Sequence, residues 1–489
     1  MSQAAQKEYS VGYALFIACA AAIGGFLFGF DTSVINGTLD ALRFKLSATD
    51  AGLGLAASVA ILGAAGGAFF AGTLADKFGR RKVMLTASVL FLISAVGSGY
   101  PYFFTEVGSA HNFLEFIIWR VIGGVGVGAA SVIVPAYIAE IAPAALRGRL
   151  ASMQQFAIVI GIFSALLSNY VLGASAGGGA AIMNAQRVIE GVTPLWGFET
   201  WQWMFWIECI PAIAYFLFVL FIPESPRYLV AQKKHEEASV VLSKILSPHI
   251  VAQKIADIKT SLHSEIAPKF SDLLEKVAGK VRLTPIVWVG IGVAALQQFV
   301  GINVIFYYGN VLWESVGFNQ QDAMMTSVLS SIVNIVSTII AIVLVDKVGR
   351  KPLLLAGSLG MFFTLGVMAV IFGTAGLDEH GNPVLNGIVA YTAVISANLY
   401  VVFFAFSWGP VCWILLGEMF NNRIRGAALA LGGLSQWLAN FAIAGTFPIL
   451  LAKIGLGGAY GIYCLFAFLS IFFVLTKIKE TNGKELEDM

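Results

Sequence analysis

The sequence predicts an all-α membrane protein, with twelve transmembrane helices in two pseudo-symmetric six-helix bundles. Three observations predict it. Of the 489 residues, 58% are hydrophobic and 12% charged, with a mean hydropathy of +0.82, well outside the balance of soluble domains. Apolar stretches recur that match the roughly 20 helical residues needed to cross a bilayer core about 30 Å thick. Charged motifs between those stretches repeat at nearly constant offsets.

The twelve apolar stretches, spans 1 to 12, start near residues 11, 51, 83, 113, 150, 200, 284, 323, 352, 387, 427 and 457. Residues 1–10 form a polar N-terminal segment, and residues 11–222 hold the first bundle. No small-residue cleavage pattern follows span 1, so it reads as a retained helix and not a removed signal. Residues 223–283 are rich in Lys and Glu, with helical pattern around His235 to Leu246 and Ile255 to His263. They read as a soluble helical insert that tethers the bundles or helps latch a gate. Residues 284–476 hold the second bundle, and residues 477–489 form a tail.

Positive side chains resist translocation. Of the 30 Lys and Arg residues, 25 fall in segments on the same side as the N-terminus; Arg43, Lys45, Arg187 and Lys453 fall on the other, and Arg120 lies within a span. Both termini are therefore expected in the cytoplasm, and the net charge of +2 implies no nucleic-acid partner. The four cysteines sit in apolar spans without metal-ligand spacing, and the five histidines are scattered in loops. Neither a metal, a cofactor nor an enzyme's catalytic constellation is expected.

The repeats come in two pairs. Asp76-Lys-Phe-Gly-Arg80, followed by Arg81, returns after span 8 as Asp346-Lys-Val-Gly-Arg350, 270 residues on. Glu140 to Arg147 after span 4 returns as Glu418 to Arg425 after span 10, 278 residues on. Agreement between independent motifs implies gene duplication. With Pro223-Glu-Ser-Pro-Arg227 after span 6, Gln297-Gln-Phe-Val-Gly-Ile-Asn303 in span 7 and Trp408-Gly-Pro-Val-Cys-Trp413 in span 10, the chain resembles the sugar porters of the major facilitator superfamily along nearly its whole length. The family's tail, usually Pro-Glu-Thr-Lys-Gly, is here Ile478-Lys-Glu-Thr-Asn-Gly483, with only its core retained. The resemblance implies the major facilitator fold, a monosaccharide cargo and alternating access in a lipid bilayer.

An ionisable side chain deep in a span costs about 2.5 to 3.5 kcal/mol on insertion scales, which makes it a functional candidate. Asp31, Arg120 and Glu208 are such groups in the first bundle; the second has amides in their place. Span 1 runs outward and span 4 inward, so Asp31 and Arg120 fall at similar depth, with Glu208 comparable. An ion pair there serves either as a static brace between spans or as a proton coupler, because the carboxyl's proton affinity depends on how near the guanidinium stands. The resemblance implies the coupler: proton-linked sugar porters carry an Asp in a Gly-Gly-x-x-Phe-Gly-x-Asp segment, matched by Gly24 to Asp31, where the mammalian facilitative carriers have Asn.

Sugar hydroxyls both donate and accept hydrogen bonds, and neutral amides match them without the desolvation cost of a charge. The amides of the second bundle, Gln297, Gln298, Asn303, Asn334, Asn398, Gln436 and Asn440, are apt partners, with Phe28, Tyr307 and Trp413 as stacking faces. On an unbroken helix Gln298 and Asn303 would point about 140° apart, so convergence requires a break, for which Gly301 is suited. The resemblance places Gln155, Gln297, Gln298, Asn303, Trp413, Gln436 and Asn440 at sugar-contacting positions of the family, and Ile162 and Phe306 match the glucose facilitators where the bacterial xylose symporter has Gln and Leu. That points to a hexose.

Asp76, Arg80, Arg81, Glu140, Arg147, Glu224, Arg227, Asp346, Arg350, Glu418 and Arg425 all fall on the cytoplasmic side, where opposite charges can clasp the halves and release them. Gly123-Gly-Val-Gly126-Val-Gly128 imitates a dinucleotide loop, but no strand precedes it, and helix packing is the better reading. The function expected is therefore proton-coupled symport of a hexose such as glucose by a monomer in a bacterial inner membrane. The alternatives are an uncoupled facilitator, a polyol or inositol carrier, and a sugar sensor.

Overall fold

A computed structural model describes residues 10–143, 146–175, 196–264, 273–277, 280–377, 383–385, 387–420 and 424–481. Among them the helices fall where the sequence places the spans. In lipid every backbone polar group must be satisfied internally, which leaves the helix as the natural form for these apolar stretches. Spans 1 to 5 are Val11–Val34, Asp50–Phe78, Arg80–Gly99, Asn112–Ile141 and Arg147–Ser175. Span 6 is broken into Thr200–Trp206 and Cys209–Phe221.

In the second half, span 7 is Pro285–Phe299 plus Ile302–Glu314, span 8 Gln320–Val348, span 9 Arg350–Thr374, and span 10 Ile388–Ala405 plus Trp408–Glu418. Spans 11 and 12 share the segment Arg425–Lys477, which leaves helical geometry at Gly455 (φ 70°, ψ 176°). A straight helix of that length would reach about 80 Å, so the Gly455 joint is what makes two crossings of it.

The two halves repeat each other in detail. Spans 2 and 8 end at Gly79 and Gly349, whose φ values of 97° and 94° are open only to glycine at little cost, and the next helix starts at once. That is the physical content of the repeated Asp-x-x-Gly-Arg motif. The glycine-rich run of span 4 is a packing surface, as expected. A methyl on Gly124 would stand 2.0 Å from the Ala60 carbonyl oxygen, and one on Gly128 2.0 Å from that of Ala64, so spans 2 and 4 touch backbone to backbone.

Twelve crossings return the chain to the face it started from, here called the termini face. On the opposite, distal face the halves are pressed together. A methyl on Gly54 of span 2 would stand 2.2 Å from the Gly445 carbonyl oxygen of span 11. Asn310 of span 7 donates its backbone N–H to Asn36 Oδ1 (2.9 Å) and its amide to the Asn36 carbonyl (3.3 Å).

The insert is helical at Pro226–Ala231, His235–Ile245 and Pro248–Ser264. It then departs from the all-helical expectation in an antiparallel hairpin, Leu274–Val277 with Lys280–Leu283. Only Lys280-Val-Arg-Leu283 alternates polar with apolar, and four residues are too few to stand out as a strand beside the charged helices before it.

Candidate transport site

The ion pair expected from depth alone is present. Arg120 Nη1 donates to Asp31 Oδ1 at 2.6 Å and Nη2 to the Asp31 carbonyl at 2.9 Å, with both residues fully buried. The guanidinium lies 5.7 Å from the ring centre of Phe205. Glu208 occupies the break in span 6 at 0% exposure, its carboxyl in hydrogen-bond contact with that of Asp31 and Arg120 close by. Two carboxyls and one guanidinium in so dry a place are electrically balanced only with one proton aboard.

The amides of the second half form one connected network. Span 7 stops at Phe299 and restarts at Ile302 around Gly301, whose φ of 86° is left-handed. The break turns Asn303 toward Gln298, to whose Oε1 it donates at 2.7 Å, and Asn303 also donates to Asn440 Oδ1 at 2.9 Å. Gln297 Oε1 accepts from Gln298 (2.8 Å) and from Gln436 (2.5 Å). Five sequence-expected side chains from spans 7 and 11 thus share one site.

Tyr307 connects it to the ion pair. Its phenol faces the side chains of Asn440 and of Thr32, the residue next to Asp31. Phe28 stacks obliquely on Trp437 across the halves, with ring centres 5.6 Å apart. Phe306 is buried, and Ile162 packs where span 5 meets Gly29 of span 1. Gln155 and Trp413 are not joined to this network by any described hydrogen bond, and Trp413 is 42% exposed.

Sequence reasoning missed Trp437 and Gln154. Trp437 sits between the two expected amides of span 11, which was the available signal. Gln154 is buried with both amide atoms unpartnered against Gly25 of span 1. It is the neighbour of the expected Gln155, about 100° around the helix.

On the termini face, Arg80 Nη2 pairs with Glu140 (3.0 Å) and Asp76 (3.1 Å), and Ser225 donates to Glu140. Glu224 accepts the backbone N–H groups of Arg80 and Arg81 at the start of span 3. The second half copies this: Arg350 pairs with Glu418 (2.7 Å), Thr481 donates to Glu418, and Glu480 accepts the N–H groups of Arg350 and Lys351. Glu224-Ser225 and Glu480-Thr481 are thus a third repeat, unnoticed in the sequence because only two residues carry it.

Among the described residues these charges pair within a half; the sequence expectation of a clasp between the halves concerns the state closed on this face. The pairing is local, since each carboxylate sits opposite a helix start of its own half. Arg81 Nε donates to the Val219 carbonyl, and Arg227 reaches Ser261 within the insert. The side chains of Arg147, Asp346 and Arg425 lie outside the described residues.

A two-half bundle with a buried ion pair beside an uncharged amide pocket agrees with the comparisons to known proteins. The model of the family described as "Sugar (and other) transporter" matches residues 17–489. The chain belongs to this family. It is a sugar-family transporter of the major facilitator fold, not an enzyme. It is 51% identical to the glucose transport protein of Synechocystis over 100% of this chain and 99% of that one. It is 37% identical to the D-xylose-proton symporter of Escherichia coli over 99% of this chain and 96% of that one. The transporter also superposes on the xylose transporter XylE of E. coli in its partially occluded inward-open conformation, with a TM-score of 0.81 and 34% identity over 97% of this chain and 100% of that one.

Proposed function

We propose that this transporter is a proton-coupled monosaccharide symporter working by alternating access, with a hexose such as glucose as cargo. The observation that carries the reading is the fully buried Asp31–Arg120 pair with Glu208 beside it, linked through Thr32 and Tyr307 to the amides of spans 7 and 11. The proton rides on the Asp31–Glu208 carboxyls, and Arg120 sets their affinity for it. The sugar replaces the amide-to-amide hydrogen bonds of Gln297, Gln298, Asn303, Gln436 and Asn440, with Phe28, Trp437 and Tyr307 enclosing it and Gln155 and Trp413 added when the halves move.

Exchange of one hydrogen-bonded network for another keeps binding reversible, which a carrier needs. The likeness at 51% identity to a protein named for glucose transport supports a hexose over a pentose. Asp31 weighs against an uncoupled facilitator. The termini face is assigned to the cytoplasm of a bacterial inner membrane, where its basic loops are retained. The sealed distal face then makes this an inward-facing conformation, and the charge clusters of each half are its gating parts. The insert and tail brace those clusters, and one chain suffices for transport.

Reconstitution into proteoliposomes tests the whole reading. Labelled glucose, galactose, xylose and inositol are offered with and without an inward proton gradient. The expected result is gradient-driven accumulation of glucose above the external concentration, with inositol excluded. Equal plateaus with and without the gradient would mean facilitation.

A further inference from the structure

Another polar group faces the ion pair from span 3. Ser94 is 0% exposed, and its Oγ has no hydrogen-bond partner among the described residues. A methyl group on Gly123 of span 4 would stand 2.3 Å from Ser94 Oγ and 3.4 Å from Asp31 Oδ1, the oxygen that Arg120 holds, so hydroxyl and carboxylate lie against the same glycine. The Asp31 carboxyl is held by Arg120 on Oδ1 and meets the Glu208 carboxyl, so Ser94 is a third polar group at its edge. Ser88, Ser131 and Ser168 satisfy their hydroxyls in the usual intrahelical way, each donating to the carbonyl three residues earlier. Ser94 makes no such bond, as is also true of Ser33, Ser58, Ser98 and Ser330, and its place against Gly123 beside Asp31 is what sets it apart.

We propose that Ser94 is a positioning residue for the proton step, donating its hydroxyl hydrogen to the Asp31 carboxylate as the Arg120 guanidinium withdraws. The serine keeps its own proton throughout: it donates to the ionised carboxyl and accepts from the protonated one. The other groups facing Asp31 are Arg120 on span 4, Glu208 on span 6 and Tyr307 on span 7. Span 5 carries no charged side chain from Ser152 to Ser175, and the insert meets span 1 at Ser10, far from this depth. Ser94 is thus the uncharged donor that limits how strongly the bare carboxylate draws a proton. A hydrogen bond favours the ionised form of a carboxyl more than the neutral form.

This inference rests on the proton-coupling reading, and the experiment separates the two. The pH dependence of gradient-driven accumulation is compared for the native transporter and Ser94→Ala in proteoliposomes, with labelled-sugar counterflow as the control for folding. The alanine variant is expected to move the midpoint to higher pH by about 0.5 to 1 unit, three- to tenfold in proton affinity, with counterflow unchanged. Ser94→Cys, which is slightly larger and weakens the donor, is expected to move it the same way and decides the matter if the alanine variant does not fold. A native midpoint in the folded variants would overturn the role of Ser94. Absence of gradient-driven accumulation in the native protein would instead overturn coupling itself.

Discussion

At the scale of single residues, the site divides by charge. Gln298 sits in the middle of the amide chain, bonded to both Gln297 and Asn303. Its replacement by Ala removes one sugar partner and leaves Asn303 short of an acceptor, a loss of about 1–2 kcal/mol. The half-saturating sugar concentration is expected to rise about 5- to 30-fold in counterflow, with gradient dependence intact. Trp437→Ala removes the face that meets Phe28 across the halves and is expected to weaken sugar binding while leaving proton dependence alone, which a pH series at saturating sugar would check. Asp31, Arg120 and Glu208 were legible in the sequence because charge in an apolar run is costly and therefore conspicuous. Ser94, Thr32 and Gln154 were not, because a small or neutral polar residue in a span is common, and only its packing shows whether its hydrogen bonds are met.

At the scale of elements, glycine-marked breaks do the positioning. The Gly301 break was legible because two needed amides stood on opposite sides of a continuous helix. The break at Glu208 carries a sequence mark too, Pro211, whose ring and missing N–H deny Ile207 its hydrogen bond from four residues on, but the mark was passed over. The helix starts of spans 3 and 9 give a direct prediction. Glu224 and Glu480 each accept two backbone N–H groups there, so replacing either with Ala removes a cap and its favourable charge near the helix N-terminus, at about 1–2 kcal/mol each. Thermal unfolding in detergent is expected to show similar losses for the two variants. A loss confined to Glu224→Ala would mean the tail motif has no equivalent role. That motif had been recognisable only in its core, and the core, Glu480-Thr481, is the part that makes the contacts.

At the scale of the whole molecule, the halves repeat at their loops and differ in their interiors. Both the spans and the two-half plan were legible, since hydropathy and motif offsets depend on composition and not on packing. The state of the gates was not, because the same sequence must support each state in turn. Closure of the distal face carries a pH signature. Asp40, in the short helix Leu39–Lys45 on that face, is pushed up to about 6 by burial, against the pull of Arg43, and Glu314 at the end of span 7 faces it from the other half. A carboxyl raised in the closed form stabilises that form while protonated. The contribution is fully present below the usual carboxylate range and is lost as pH rises through about 6. Labels at Thr49 and Lys453, which line one distal cleft, are expected to draw together on acidification, and Asp40→Asn is expected to flatten that response.

The central claim is that the first half carries the proton and the second half most of the grip on the sugar. Asp31→Asn tests it most directly, in vesicles that report counterflow and gradient-driven accumulation of the same labelled sugar. The account predicts that counterflow persists and that accumulation above the external concentration is abolished. Undiminished uphill accumulation in the Asn variant would contradict it.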